Sequence, residues 1–160
     1  MTGVHMTLYV ITDWLGLVPL VTILGFALLG LTQWIKRRTI KKVDINILFL
    51  GLFYLVVLGI FLLFEEIVIN YRPILIDGIL EASYPSSTTM LVLCIIPTTI
   101  MQFRKYIKSK VLYGFLALFL SLFVAFMLIG RLLSGVHWLT DIIGGIILST
   151  GLVLMYDSIV

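Results

Sequence analysis

The chain has 160 residues, 61% of them hydrophobic and 12% charged, and its mean hydropathy of +1.20 describes a polytopic membrane protein and excludes a soluble globular fold. The net charge of +3 arises in short loops between apolar runs, so it reports orientation in a membrane and excludes a nucleic-acid-binding surface. A single cysteine, Cys94, lies inside an apolar run; it excludes a disulfide framework and a thiolate metal site, and its expected role is small buried packing.

At roughly 20 residues per crossing, the length admits about five helices, predicting an all-α transmembrane bundle in one integral membrane domain spanning residues 1–160. The first fourteen residues, with His5, Asp13 and Trp14, read as a lead-in lying at the membrane interface, and they lack the basic start of a signal peptide. A first span is predicted at 15–35, followed by the basic cluster Lys36, Arg37, Arg38, Lys41 and Lys42. The second span, 45–64, leads into a polar segment at 65–85. A third span at 86–103 ends in Arg104, Lys105, Lys108 and Lys110, and a fourth covers 111–129. After a short segment at 130–136, a fifth span runs to about residue 156. The two basic loops mark the cytoplasmic side, which puts the N-terminus outside, the C-terminus inside, and both polar segments on the outer face.

Two arginines, Arg72 and Arg131, lie outside the basic clusters and therefore on the opposite face, where retention signals do not explain them. They read as anion ligands. The first outer segment holds Glu65, Glu66, Asn70, Tyr71, Arg72, Pro73, Asp77 and Glu81 and ends in Pro85, Ser86, Ser87 and Thr88, a helix-start signal. Taken alone, these hydroxyls need do no more than cap the third span. The second segment runs from Gly130 and Arg131 to His137 and Asp141. Four residues apart, His137 and Asp141 share a face of a helix, so Asp141 can accept from one ring nitrogen and turn the other toward Arg131. Ionisable groups near a membrane interior are costly and usually mark a site. Because the third and fifth spans both start on the outer face, their free amides and positive dipole ends point there, as a phosphate requires. Gly144 and Gly145 suit close helix approach.

These residues resemble the type 2 phosphatidic acid phosphatases, membrane relatives of the vanadium haloperoxidases. That family carries Lys, six residues, Arg-Pro; then Pro-Ser-Gly-His; then Ser-Arg, five residues, His, three residues, Asp. The third motif is matched at Arg131, His137 and Asp141, with Gly130 in place of its leading Ser; the first keeps Arg72-Pro73 and the second Pro85-Ser86. The motif region covers residues 65–145. The resemblance implies that His137 attacks phosphorus to form a phosphohistidine, with Asp141 holding the ring tautomer. Arg72, Arg131 and the amides near Ser86 and Ser87 would neutralise the phosphoryl oxygens. No metal or other cofactor is expected.

Two departures bear on mechanism. Glu65 stands where the family has Lys, and Thr88 where the family has the histidine that protonates the leaving oxygen. Threonine cannot serve as a general acid at neutral pH, and losing such a group costs ~100-fold to 10,000-fold. Three compensations are open: a leaving group that is itself phosphate, Glu65 or Glu66 acting as the acid, or a divalent cation held by Glu65, Glu66, Asp77 and Glu81. The expected function is hydrolysis of a lipid diphosphate or phosphate at the extracytoplasmic face of a bacterial inner membrane. Undecaprenyl diphosphate comes first, phosphatidylglycerophosphate or phosphatidate second. The alternative is a degenerate member that binds or transports a lipid phosphate without cleaving it; a small structural subunit leaves the placement of the arginines unexplained. Elsewhere, Tyr71, Tyr84 and Trp138 read as outer anchors, Trp34, Tyr106 and Tyr156 as inner ones, His5 as exposed, and Met90, Met101 and Met127 as filler.

Overall fold

The computed structural model describes residues 3–76 and 78–160; Asp77 lies outside them, so its place in the proposed acidic set has no structural counterpart. The helices in chain order are α1 (Met6–Leu15), α2 (Leu17–Arg37), α3 (Ile45–Glu66), α4 (Ser87–Tyr106), α5 (Lys110–Ser134) and α6 (Leu139–Ile159), with a 3-10 turn at Ile40–Lys42. Four helical stretches are long and apolar enough to cross a membrane, namely Met6–Arg37, in which α1 and α2 run on, Ile45–Glu66, Lys110–Ser134 and Leu139–Ile159. The chain is an integral membrane protein.

The predicted third span, α4, reaches about 30 Å at its 20 residues but is more polar than the others for a reason visible in the packing. It is the central helix, with Met90, Val92, Cys94, Ile95 and Ile96 buried against its neighbours. Its polar residues face protein and find partners there: Thr98 Oγ1 donates to the Cys94 carbonyl (2.8 Å), Thr99 Oγ1 to that of Ile95 (2.7 Å), and Gln102 Nε2 to the Tyr156 hydroxyl (2.6 Å), while Gln102 Oε1 has no partner among the described residues. In the absence of water, internal pairing of this kind keeps polar groups tolerable at membrane depth. Tyr156 is thus a buried partner packed on Phe53, with ring centroids 4.9 Å apart, and the interfacial role expected of it is corrected. Tyr84 is likewise packed, edge-on to Phe64 and over Gly144, where a Cβ would collide with its ring. Gly144 therefore lets α6 approach the chain leading into α4, as expected of it.

The two ends of the bundle differ in chemistry. At one end, Tyr106 donates to Asp44 (2.7 Å), Lys105 to Asn46 (2.6 Å) and the Asp44 amide to Gln33 (2.9 Å), which joins the two basic loops. Hydrogen bonding from Tyr106, the larger influence, and from Asn46 holds the Asp44 carboxyl below its usual range against partial burial. At the other end, residues 67–76 and 78–86 lie against each other, with Tyr71 bridged to Ala82 and Ile76 to Ile79. This ribbon sets Arg72 opposite Glu81 and Asn70 opposite Ser83.

The lead-in departs from expectation. Residues 6–15 are helical and dock on the end of α5: the His5 amide donates to the Ser134 carbonyl at 3.1 Å, Thr12 is fully buried, and a Cβ on Gly130 would sit 2.6 Å from the Thr12 methyl. The side chains of Leu8 and Thr12 occupy space that the missing Gly130 side chain vacates, so α1 is part of the bundle.

Candidate active site

Arg131 lies on the last turn of α5, which extends to Ser134 and so takes up most of the segment expected to be a loop. Gly135, with φ of +72°, ends that helix in the left-handed region, which glycine enters without a Cβ penalty. The turn sends Val136 and His137 back across Arg131. His137 precedes the N-cap of α6 and Asp141 is in its first turn, so the two do not share a helix face as their spacing suggested. Asp141 instead accepts from the Trp138 amide at 2.9 Å, and its ring contact with His137 is long, 3.6 Å from Nδ1 to Oδ2.

Ser83 fills that gap. Its hydroxyl donates to Asp141 Oδ2 and lies 3.2 Å from His137 Nδ1. Having given its one proton to the carboxylate, Ser83 Oγ can only accept from the ring, so Nδ1 carries the imidazole proton and Nε2 is bare. Asn70 Nδ2 donates to the second Asp141 oxygen at 3.1 Å, and the Ser86 amide donates to the Asp141 carbonyl at 3.1 Å. Asp141 is thereby fixed from both strands of the outer ribbon. His137 Nε2 faces Arg131 Nη2 at 3.3 Å. Burial, then the positive charges of Arg131 and Arg72, push the His137 imidazole well below its ordinary range despite Asp141, which keeps the ring neutral.

Both outer arginines reach this point. Arg131 is fully buried and Arg72 nearly so, and their guanidinium carbons lie 5.2 and 5.8 Å from the centre of the same Tyr9 ring, within cation–π range. Arg72 Nη2 pairs with Glu81 at 3.0 Å, and Arg131 Nη1 approaches Asp13 at 3.5 Å. Three of their nitrogens, Arg72 Nε and Nη1 and Arg131 Nε, are buried without an acceptor among the described residues. Leaving such donors unpaired is expensive, and their concentration beside a neutral His137 marks a place for anionic oxygens.

The remaining candidates divide. Ser86 is the buried N-cap of α4, yet its side chain caps nothing; it accepts from Thr89 Oγ1 at 3.0 Å. Among the described residues the Ser86 hydroxyl therefore does not shield the first amides of α4, contrary to the simple capping reading. Pro85, Ser87 and Glu65 line a small pocket with Ser83, Tyr84 and His137. Thr88 turns its methyl toward Gly16, at the α1–α2 junction. The acidic set disperses: Glu81 is engaged by Arg72, and among the described residues no three His, Cys, Asp or Glu converge as a metal site would require. Residue reasoning missed Ser83, Asn70, Tyr9 and Asp13. Asp13 did carry a signal, an acid at the edge of an apolar run; Ser83 and Asn70 had none, since only the ribbon brings them to Asp141.

A family model described as the PAP2 superfamily matches residues 65–158, more than half of the chain. No curated relative matches. Among solved structures, the chain is similar to the crystal structure of a transmembrane PAP2 type phosphatidylglycerolphosphate phosphatase from Bacillus subtilis, with a TM-score of 0.57 and 21% identity, covering 91% of this chain and 76% of that one.

Proposed function

The chain belongs to the PAP2 superfamily, and from that premise we propose that it is a membrane lipid phosphatase working through a phosphohistidine on His137. One observation carries this reading: Arg131 faces the unprotonated Nε2 of a neutral His137, and among the described residues Arg131 and Arg72 keep three buried guanidinium nitrogens without an acceptor. Phosphoryl transfer asks the protein chiefly for positioning and for charge at the equatorial oxygens, and these donors with the α4 amides supply both. Nε2 attacks phosphorus, the lipid oxygen departs, and water later releases phosphate from the ring. As the imidazole becomes cationic, its Nδ1 proton remains on the path to Ser83 and Asp141, which stabilise the charge.

The substrate is a lipid whose phosphate head enters among the ends of α1, α4, α5 and α6 while its tail stays in the bilayer. A polyprenyl diphosphate such as undecaprenyl diphosphate is the first candidate, because phosphate leaves with less help from a proton than an alkoxide does and Thr88 offers none. A phosphatidylglycerophosphate or phosphatidate is the second, in line with the activity of the similar B. subtilis protein. Positive-inside counting supports a site on the extracytoplasmic face, and the membrane of this reading is a bacterial inner membrane. Glu65 in place of a cation, and the carboxylates already seated on both arginines, favour the second reading, a lipid phosphate binder without turnover.

Phosphate release from a panel of lipid phosphates by the purified protein separates the two. Turnover that vanadate inhibits and His137→Ala abolishes is expected; binding of the lipids without release of phosphate supports the binder.

A further inference from the structure

The docking of α1 is the part of the bundle that the reaction above leaves unused. Tyr9 and Asp13, one turn apart, project from one face toward the two arginines, Tyr9 as the shared ring and Asp13 as a carboxylate 3.5 Å from Arg131 Nη1. The approach is built in: Gly130 carries no side chain where Thr12 packs, and the His5 amide ties the helix start to Ser134. Resting on the phosphatase reading, we propose that Asp13 is a catalytic residue, the acid that protonates the departing lipid oxygen.

The geometry rests on a single guanidinium. Arg131 offers Nη2 to His137 Nε2 at 3.3 Å and Nη1 to Asp13 Oδ1 at 3.5 Å. A phosphoryl group with an equatorial oxygen on Arg131 then has the nucleophile toward one apex and the Asp13 carboxyl toward the other, where in-line displacement puts the leaving oxygen. The other acids beside the site are placed differently. Asp141 is held behind the imidazole by Ser83, Asn70 and the Trp138 amide, Glu81 is on Arg72, and Glu65 pairs with neither arginine. Thr88 brings only its methyl to the Gly16 junction, one turn from Asp13. With its side chain 56% exposed, Asp13 exchanges protons with solvent.

In the substrate-free protein the carboxylate stands in for a phosphate oxygen on Arg131. Incoming phosphate takes over the guanidinium, and the freed Asp13 carboxyl, protonated in this proposal, faces the leaving oxygen. As the Nε2–P bond forms and the P–O bond to the lipid breaks, that proton passes to the leaving oxygen, giving a neutral alcohol or a protonated lipid phosphate. Asp13, now ionised, accepts a proton from the water that attacks the phosphohistidine, and the cycle closes with release of inorganic phosphate.

The test uses Asp13→Asn in the purified full chain, with a polyprenyl diphosphate and the matching monophosphate as substrates and vanadate binding as a check on the site. The expected result is a loss of ~100-fold to 10,000-fold in kcat/KM on the monophosphate, a much smaller loss on the diphosphate, unweakened vanadate binding, and partial rescue by Asp13→Glu. Equal losses on both substrates, or weakened vanadate binding, overturn the proposal in favour of a structural role. So does a wild type that cleaves the diphosphate but never the monophosphate, since an acid in place would serve the alkoxide. A wild type that releases phosphate from neither lipid overturns the phosphatase reading and this one with it; wild-type turnover unchanged in Asp13→Asn overturns this one alone.

Discussion

Ser83 interposes itself in what is otherwise a histidine–aspartate pair, and its position decides how much each member contributes. Because the hydroxyl donates to Asp141 and accepts from His137, removing it leaves Nδ1 facing a carboxylate 3.6 Å away, close enough to recover part of the orientation. Ser83→Ala is therefore expected to lower kcat about tenfold with little change in KM, whereas Asp141→Asn, which can donate where acceptance is needed, should cost on the order of 10,000-fold. Steady-state kinetics of the two variants check this; equal losses would show that Ser83 and Asp141 act as an inseparable unit. His137 also makes stability depend on pH. Its folded pKa lies below the ordinary 6.5, chiefly through burial and then through Arg131 and Arg72, so the unfolded chain binds more protons below that pH. Stability is fully present above about 6.5 and falls as pH drops beneath it, by at most about 1.4 kcal/mol per unit from this group. Thermal unfolding in detergent between pH 7 and 5 should show this slope in the wild type and a shallower one in His137→Gln; parallel curves would mean that the ring is not held neutral.

At the scale of elements, the contacts that aim the site are close approaches made possible by absent side chains. Gly144 lies under the Tyr84 ring, and Gly145 meets Thr89, with the nearest Thr89 atom 3.1 Å from a Cβ position. Gly144→Ala has no free space to use and should destabilise the protein by about 1–3 kcal/mol through overpacking, and it should lower activity by shifting the Tyr84–Ser86 turn that holds Asp141. Unfolding midpoints and turnover measured together test this, and an unchanged midpoint would contradict the packing. The spans themselves were legible from apolar runs, because a crossing helix must be long and apolar; 45–64 became Ile45–Glu66 and 111–129 became Lys110–Ser134. The triad of Arg131, His137 and Asp141 was legible by motif. The ribbon that pairs Asn70 with Ser83 and Arg72 with Glu81 has a local hairpin signal in Asp77-Gly78 between Ile76 and Ile79, but that signal does not convey that the ribbon carries Asn70 and Ser83 to Asp141. The docking of α1 was equally hidden, since its reason is a missing side chain at Gly130 that only the folded partner reveals.

At the scale of the whole molecule, charge and chemistry separate to opposite ends, and that separation ties orientation to function. Asp44, Asn46, Lys105 and Tyr106 knit the basic loops together at one end, while Arg72, Arg131 and His137 assemble at the other. Basic loops resist translocation, so the end that holds them should stay in the cytoplasm and the site should open outward. A lipid phosphate could then be processed only once its head faces outside, which limits the enzyme to lipids delivered to that leaflet. Single cysteines at Lys41, Lys108 and Leu80, introduced after the buried Cys94 is replaced by Ala, report this directly with a membrane-impermeant thiol reagent on intact cells. Labelling is expected at position 80 alone, with positions 41 and 108 reacting only after permeabilisation. Labelling of 41 and 108 in intact cells, with 80 protected, would invert the chain and move hydrolysis to the cytoplasmic leaflet. It would also remove the case for an extracytoplasmic polyprenyl diphosphate as first substrate, while leaving the chemistry of His137 and Arg131 intact.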